Sequence, residues 1–142
     1  MKSKPRYVKT YENLDSFTNS LIICRFTTTP TGKNYNYPQI RAMLEAVTGR
    51  AVDAKEMLRI GERNFVLLKL LAAREGYSRK DEGLPKRFAT PLPRGDSKGQ
   101  KITEEELQAA IDEYYKLRGF DERGPTDEKL DELGLGELKG LR

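Results

Sequence analysis

Apolar side chains recur along this chain at intervals of three and four residues, in blocks separated by polar or Pro/Gly-bearing stretches, which is the pattern of amphipathic helices. Phe17, Leu21 and Cys24 fit that spacing and predict a first helix over about 14–26, with all three on one face. Thr27-Thr28-Thr29-Pro30-Thr31-Gly32 then stops it, since β-branched residues, Pro and Gly all disfavour continuation. A second helix fits 38–47, with Pro38 in the first turn, Ile40, Met43, Leu44 and Val47 as its stripe, and Gly49 just past its end. The third is the most strongly patterned: Asp53 and Glu56 have the spacing of a capping box, and Leu58, Phe65, Leu68 and Ala72 form a stripe widened by Ile60, Leu67 and Leu71. This helix is expected to form the core and to end near Gly76.

Between about 77 and 102 the helical period is lost, and Pro85, Pro91, Pro93, Gly95 and Gly99 mark a long irregular loop. Loops of more than about fifteen residues are uncommon in compact domains unless they pack on something or are mobile, so the segment implies either a missing partner surface, which it would wrap, or disorder. A fourth helix starts at Thr103 with Glu106 completing a capping box, runs through Leu107, Ala110, Ile111, Tyr114 and Leu117, and stops at Gly119. A short fifth begins at Thr126, carries Asp127 and Glu128 in its first turn and ends at Gly134. Leu21-Ile22-Ile23 is the only β-like run, so the expected fold is all-α: an irregular domain of about five helices spanning 1–142, with 1–10 and 136–142 as loosely ordered tails.

Composition narrows function mainly by exclusion. The 26 basic and 22 acidic residues are interspersed and give a net charge of +4, which permits nucleic-acid binding without indicating it. The most apolar stretch, 65–73, is far short of a membrane helix and is interrupted by Lys69, so no membrane partner is expected. Met1-Lys2-Ser3-Lys4-Pro5-Arg6 lacks the apolar block of a signal peptide, which makes cytoplasmic residence the expectation. There is no histidine, hence neither the commonest general base nor the commonest neutral metal ligand, and with the single Cys24 no intramolecular disulfide can form.

One family fits a specific string of residues. Ile60-Gly61-Glu62-Arg63, Arg74-Glu75-Gly76, Gly83-Leu84-Pro85-Lys86-Arg87, Tyr114-Tyr115-Lys116-Leu117-Arg118-Gly119-Phe120-Asp121, Gly124-Pro125-Thr126, Lys129-Leu130 and Leu133-Gly134-Leu135 occur in order. With them the chain resembles the C-terminal domain of the tungsten-containing aldehyde ferredoxin oxidoreductases over about 7–135. In that family a motif of Asp, two variable residues, Gly, Leu and Cys lies near the start of the domain. Its Asp and Leu contact the pterin, and its Cys is the fourth ligand of a [4Fe-4S] cluster. The matching residues here are Asn19-Ser20-Leu21-Ile22-Ile23-Cys24, with Asn19 for the acid, Ile22 for the glycine, Ile23 for the Leu, and Cys24 retained.

The resemblance thus implies Asn19 and Ile23 as pterin contacts and Cys24 as one cluster ligand, completed by a protein partner that supplies the other cofactor ligands. It also implies a whole enzyme that oxidises aldehydes to carboxylic acids with a tungsten bis-pterin and passes electrons to ferredoxin. The family's cysteine-rich motif lies outside these 142 residues, so the isolated chain is expected to be inactive and to hold no cofactor alone.

The substitutions at Asn19 and Ile22 have physical content. Asn donates as well as accepts and carries no charge, and Ile does not readily take the positive φ that Gly allows. Two other readings of the residues stand beside the oxidoreductase: a non-catalytic helical interaction module derived from the same domain, in which Cys24 is a buried thiol on an apolar helix face, and a weak nucleic-acid patch at Arg79-Lys80 and Lys86-Arg87. The acidic groups Glu104-Glu105-Glu106, Asp112-Glu113 and Asp131-Glu132 fall on first turns or polar helix faces, where solvation explains them better than catalysis.

Overall fold

The computed structural model describes residues 3–28 and 35–142. Among them are five α-helices, α1 (Lys4–Ser20), α2 (Tyr37–Thr48), α3 (Ala54–Arg74), α4 (Glu104–Arg118) and α5 (Asp127–Glu132), with a two-residue antiparallel pair, β1 (Phe120–Asp121) and β2 (Gly124–Pro125). The architecture is all-α, as expected. Two compact units divide the chain, Thr10–Leu68 and Met1–Lys9 with Lys69–Arg142, so α1 and α3 each give a segment to both.

The first unit is built on α2 and parts of α1 and α3. Asn36 accepts from the Gln39 backbone N–H at 3.0 Å, and the Gln39 side chain accepts from the Asn36 N–H at 2.9 Å, which opens α2 with a reciprocal cap. Asp53 accepts from the Glu56 N–H at 2.7 Å and opens α3. Phe17, Ile40, Val52 and Met57 form the core, with Leu14, Leu21, Tyr37, Leu44 and Ile60 packed against it. Gly61 has the tightest surroundings in the unit: a Cβ there would lie 1.8 Å from the Asn13 carbonyl oxygen, so only a residue without a side chain lets α1 and α3 approach this closely.

The structure departs from the hydrophobic pattern on three helices. Periodicity predicts the first helix over 14–26, but it runs from Lys4 to Ser20, and residues 4–10, expected in a loose tail, are its first turns. Of the expected stop, Thr29-Pro30-Thr31-Gly32 lies outside the described residues. On α3 the buried side changes along the helix: Met57 and Gly61 are buried in its first half and Val66 and Leu70, about half a turn round, in its second, while Leu67, Leu71 and above all Leu68, 64% exposed, face outward. Gly61 is buried where it meets the Asn13 backbone, a contact that the apolar count alone does not report. Met43 and Val47 of the expected α2 stripe are likewise exposed.

In the second unit the helix ends are closed as the sequence predicts. Thr103 and Glu106 form the capping box of α4, and Gly119 at its end takes φ 68°. β1 and β2 reverse the chain, and Thr126 caps α5 through the Lys129 N–H. Leu130, Leu133, Leu135, Tyr115 and Phe120 are buried, the last two rings meeting edge-on at 5.9 Å. Arg118 is 0% exposed. Its guanidinium donates to the Tyr114 hydroxyl and to the Lys9 carbonyl, both at 3.2 Å, while Lys9 Nζ donates to the Leu117 carbonyl at 3.0 Å. Two buried or half-buried cations thereby join Lys9 to the end of α4.

The 77–102 segment has no long helix, as expected, yet it is not structureless. It contains 3-10 turns at Arg79–Asp81 and Lys86–Ala89 and backbone bonds from Leu92 to Gln100, Gly99 to Leu92 and Ile102 to Phe88. Its first part is pinned: Lys69 pairs with Glu82 at 2.7 Å, and Arg79 bonds Asp112 and the Gln108 side chain.

Candidate functional site

The candidate site is the turn that follows α1. The helix stops when Leu21 and Ile22 donate backbone N–H groups to the carbonyls of Thr18 and Asn19, at 3.1 and 3.0 Å. Leu21 turns inward onto the core. Ile22 then takes φ 58°, the one positive φ at a non-glycine among the described residues. A β-branched residue in this region is a conformational outlier, because its Cβ crowds the neighbouring carbonyl. Nothing packs Ile22 in place, since it is 93% exposed. The backbone here has the form a glycine favours, and the expected difficulty of positive φ for Ile22 is met by strain.

Cys24 follows in extended conformation and precedes the 3-10 turn Arg25–Thr27. Its carbonyl accepts from the Thr27 N–H at 2.9 Å and the Thr27 hydroxyl at 2.6 Å, and Arg25 pairs with Asp15 at 3.1 Å, so the chain that follows the thiol is held. The side chain of Cys24 is exposed. This corrects its expected place on the buried face of the first helix: Phe17 and Leu21 reach the core, but the helix has ended before Cys24. The reading of Cys24 as a buried packing residue fails for the same reason. Asn19 and Ile23 are exposed as well, and Phe26 is 82% exposed. The structure therefore brings Asn19, Ile23 and Cys24 onto one outward-facing turn anchored by Leu21. The anchoring residue and the strained one were the signals that spacing alone does not separate.

The other candidate groups are used within the fold. Glu106 caps α4, Glu104 accepts from Gln108 at 2.8 Å, Asp112 pairs with Arg79, Asp131 with Lys139 and Glu132 with Lys129. Arg79 also lies 5.1 Å from the Tyr115 ring, which removes it from the nucleic-acid patch. Burial and the neighbouring Glu82 push the Tyr115 hydroxyl well above the usual tyrosine range, and it donates to Glu82 at 3.3 Å. Glu62 and Arg63 are half-buried on α3. Among the described residues no group of three or more His, Cys, Asp or Glu side chains is placed to hold a metal ion. A single thiol can supply at most one ligand of an iron–sulfur site. Among the described residues no helix is long and apolar enough to cross a membrane.

The family described as "Aldehyde ferredoxin oxidoreductase, domains 2 & 3" matches residues 1–135. The chain is 35% identical over 137 residues to the aliphatic sulfonate oxidoreductase WOR-like subunit of Pyrococcus furiosus, covering 92% of this chain and 21% of that protein. It is 35% identical over 131 residues to the tungsten-containing aldehyde ferredoxin oxidoreductase of Thermococcus kodakarensis, covering 90% of this chain and 20% of that protein. The fold matches a chain of the active-site complex BamBC of benzoyl coenzyme A reductase with 1,5-dienoyl-CoA, at a TM-score of 0.76 and 24% identity, over 94% of this chain and 19% of that one. The chain thus spans about a fifth of the length of the relatives it matches.

Proposed function

The chain belongs to the aldehyde ferredoxin oxidoreductase family, and from that premise we propose that it serves as the C-terminal domain of a tungstopterin iron–sulfur oxidoreductase, contributing one cluster ligand and inactive by itself. The observation that carries this reading is the outward presentation of Cys24 on a turn whose backbone keeps a glycine-like φ at Ile22. Cys24 would hold one iron of a [4Fe-4S] cluster, and Asn19 and Ile23 on the same turn would contact the pterin. When bound, the tungstopterin supplies the two-electron oxidation of an aldehyde to a carboxylic acid, and the cluster supplies the path to ferredoxin. The chain's own residues do the positioning. Leu21 fixes the turn to the core, the Arg25–Asp15 pair and the Thr27 bonds hold the Cys24 backbone, and exposure leaves the thiol free to meet a partner surface.

Asn19 would serve the pterin by hydrogen bonding without adding negative charge to it. Proteins containing the family's cysteine-rich part are the partners this reading requires, whether fused to this chain or separate. The test is the iron content of the assembled, anoxically purified protein with Cys24→Ser. The expected outcome is a clear loss of iron with unchanged far-ultraviolet circular dichroism; full iron in the variant would remove Cys24 from the ligand set.

A further inference from the structure

From 83 to 101 every residue is exposed, although the backbone there is organised by its own hydrogen bonds. The segment encloses a cleft of about 630 Å³ lined by Phe88, Pro91, Leu92 and Ile102, with Arg87 and Lys101 in the same wall. The Arg87 guanidinium lies 5.2 Å from the Phe88 ring, which holds one positive charge beside the apolar surface. Around the cleft the charge is one-sided: Lys86, Arg87, Arg94, Lys98 and Lys101 stand against Asp96 alone between 85 and 102.

Three features of the cleft select its occupant. Small-molecule pockets enclose their ligand and fix it with a few buried polar groups, whereas these walls are open and their polar side chains exposed. Nucleic acid is bound mainly through phosphate contacts, which leave the Phe88, Leu92 and Ile102 surface unused. A protein segment carrying apolar side chains flanked by carboxylates satisfies both the floor and the charge. About four-fifths of the length of these two relatives lies outside the matched region, so a large surface for such a segment is available in them.

We propose that this cleft is a docking site for an apolar, carboxylate-flanked segment belonging to the part of the oxidoreductase that lies outside these 142 residues. The proposal rests on the functional reading given above and adds where and by what chemistry the two parts join. It is tested by co-expressing the full chain with the Thermococcus kodakarensis relative cut to remove the region this chain matches, and measuring co-elution on size exclusion. The expected result is co-elution of the wild type, at least a tenfold loss for Phe88→Glu with Leu92→Glu, and retention for Val47→Glu on α2. Circular dichroism confirms folding, and Arg87→Glu with Lys101→Glu, which leaves the apolar floor intact, should lose binding too. Co-elution of both cleft variants at wild-type level overturns the docking site while leaving the functional reading in place. Failure of the wild type to co-elute overturns both.

Discussion

The segment from 103 to 142 and the turn from 19 to 24 treat their polar and apolar groups in opposite ways. In the first, Leu130, Leu133 and Leu135 are buried, Thr103 and Thr126 cap their helices, and even a fully buried cation, Arg118, has a hydroxyl and a carbonyl to donate to. In the second, Ile22, Ile23 and Cys24 are exposed, and a β-branched residue holds a strained φ with no packing to reward it. One region invests its side chains in its own stability. The other leaves its side chains exposed on a backbone held by its own hydrogen bonds, which is what the proposed role as a contributed ligand requires.

Four changes break or sharpen that contrast. The largest effect is expected at Gly61→Ala: a Cβ 1.8 Å from the Asn13 oxygen forces α1 and α3 apart and should cost about 3 kcal/mol or more in urea denaturation. Next, Leu130→Ala empties a completely buried site in the closed region and should cost about 3 kcal/mol by the same measurement. At the turn the sign reverses. Ile22→Gly removes the strain without uncovering apolar surface and should raise stability by about 1 kcal/mol; a loss would mean that the strained turn is not the native one.

The smallest effect concerns acid. Burial alone would raise the Asp121 carboxyl, but the Arg123 backbone N–H at 2.8 Å and the Arg142 guanidinium at 2.6 Å together hold it below the usual carboxylate range. A depressed folded value means stability that is present above the unfolded pKa of about 3.9 and is lost as pH falls through the folded one. Asp121→Asn should therefore flatten the decline in melting temperature below about pH 4. An equally steep decline in the variant would show that other carboxylates govern the acid limb.

Much of this was legible in the residues, for reasons that are local. Capping boxes at Asn36 and Thr103 were built from neighbours three apart, although only the second was read in advance, and α2, α4 and α5 fall close to their expected limits because Pro38, Gly49, Gly119 and Thr126 act within a turn of themselves. The α1 limits were not legible: residues 4–13 are mostly polar and show no apolar period, and their helix is supported by tertiary contacts such as that of Lys9 with the Leu117 carbonyl. The spacing of Phe17, Leu21 and Cys24 looked like one helical face, and the chain leaves the helix between the second and the third.

By itself the sequence determined the family, the all-α class, the helix ends with local caps, and which six residues compose the Asn19–Cys24 motif, since each depends on residue identity at short range. Only the tertiary structure decided that α3 buries Gly61 against the Asn13 backbone and leaves Leu68 exposed, that Ile22 carries a glycine's backbone angle, and that Cys24 faces outward. Those outcomes depend on how closely two helices can approach and on which surfaces remain uncovered. Both are set by residues distant in the chain, and no period of apolar side chains encodes them.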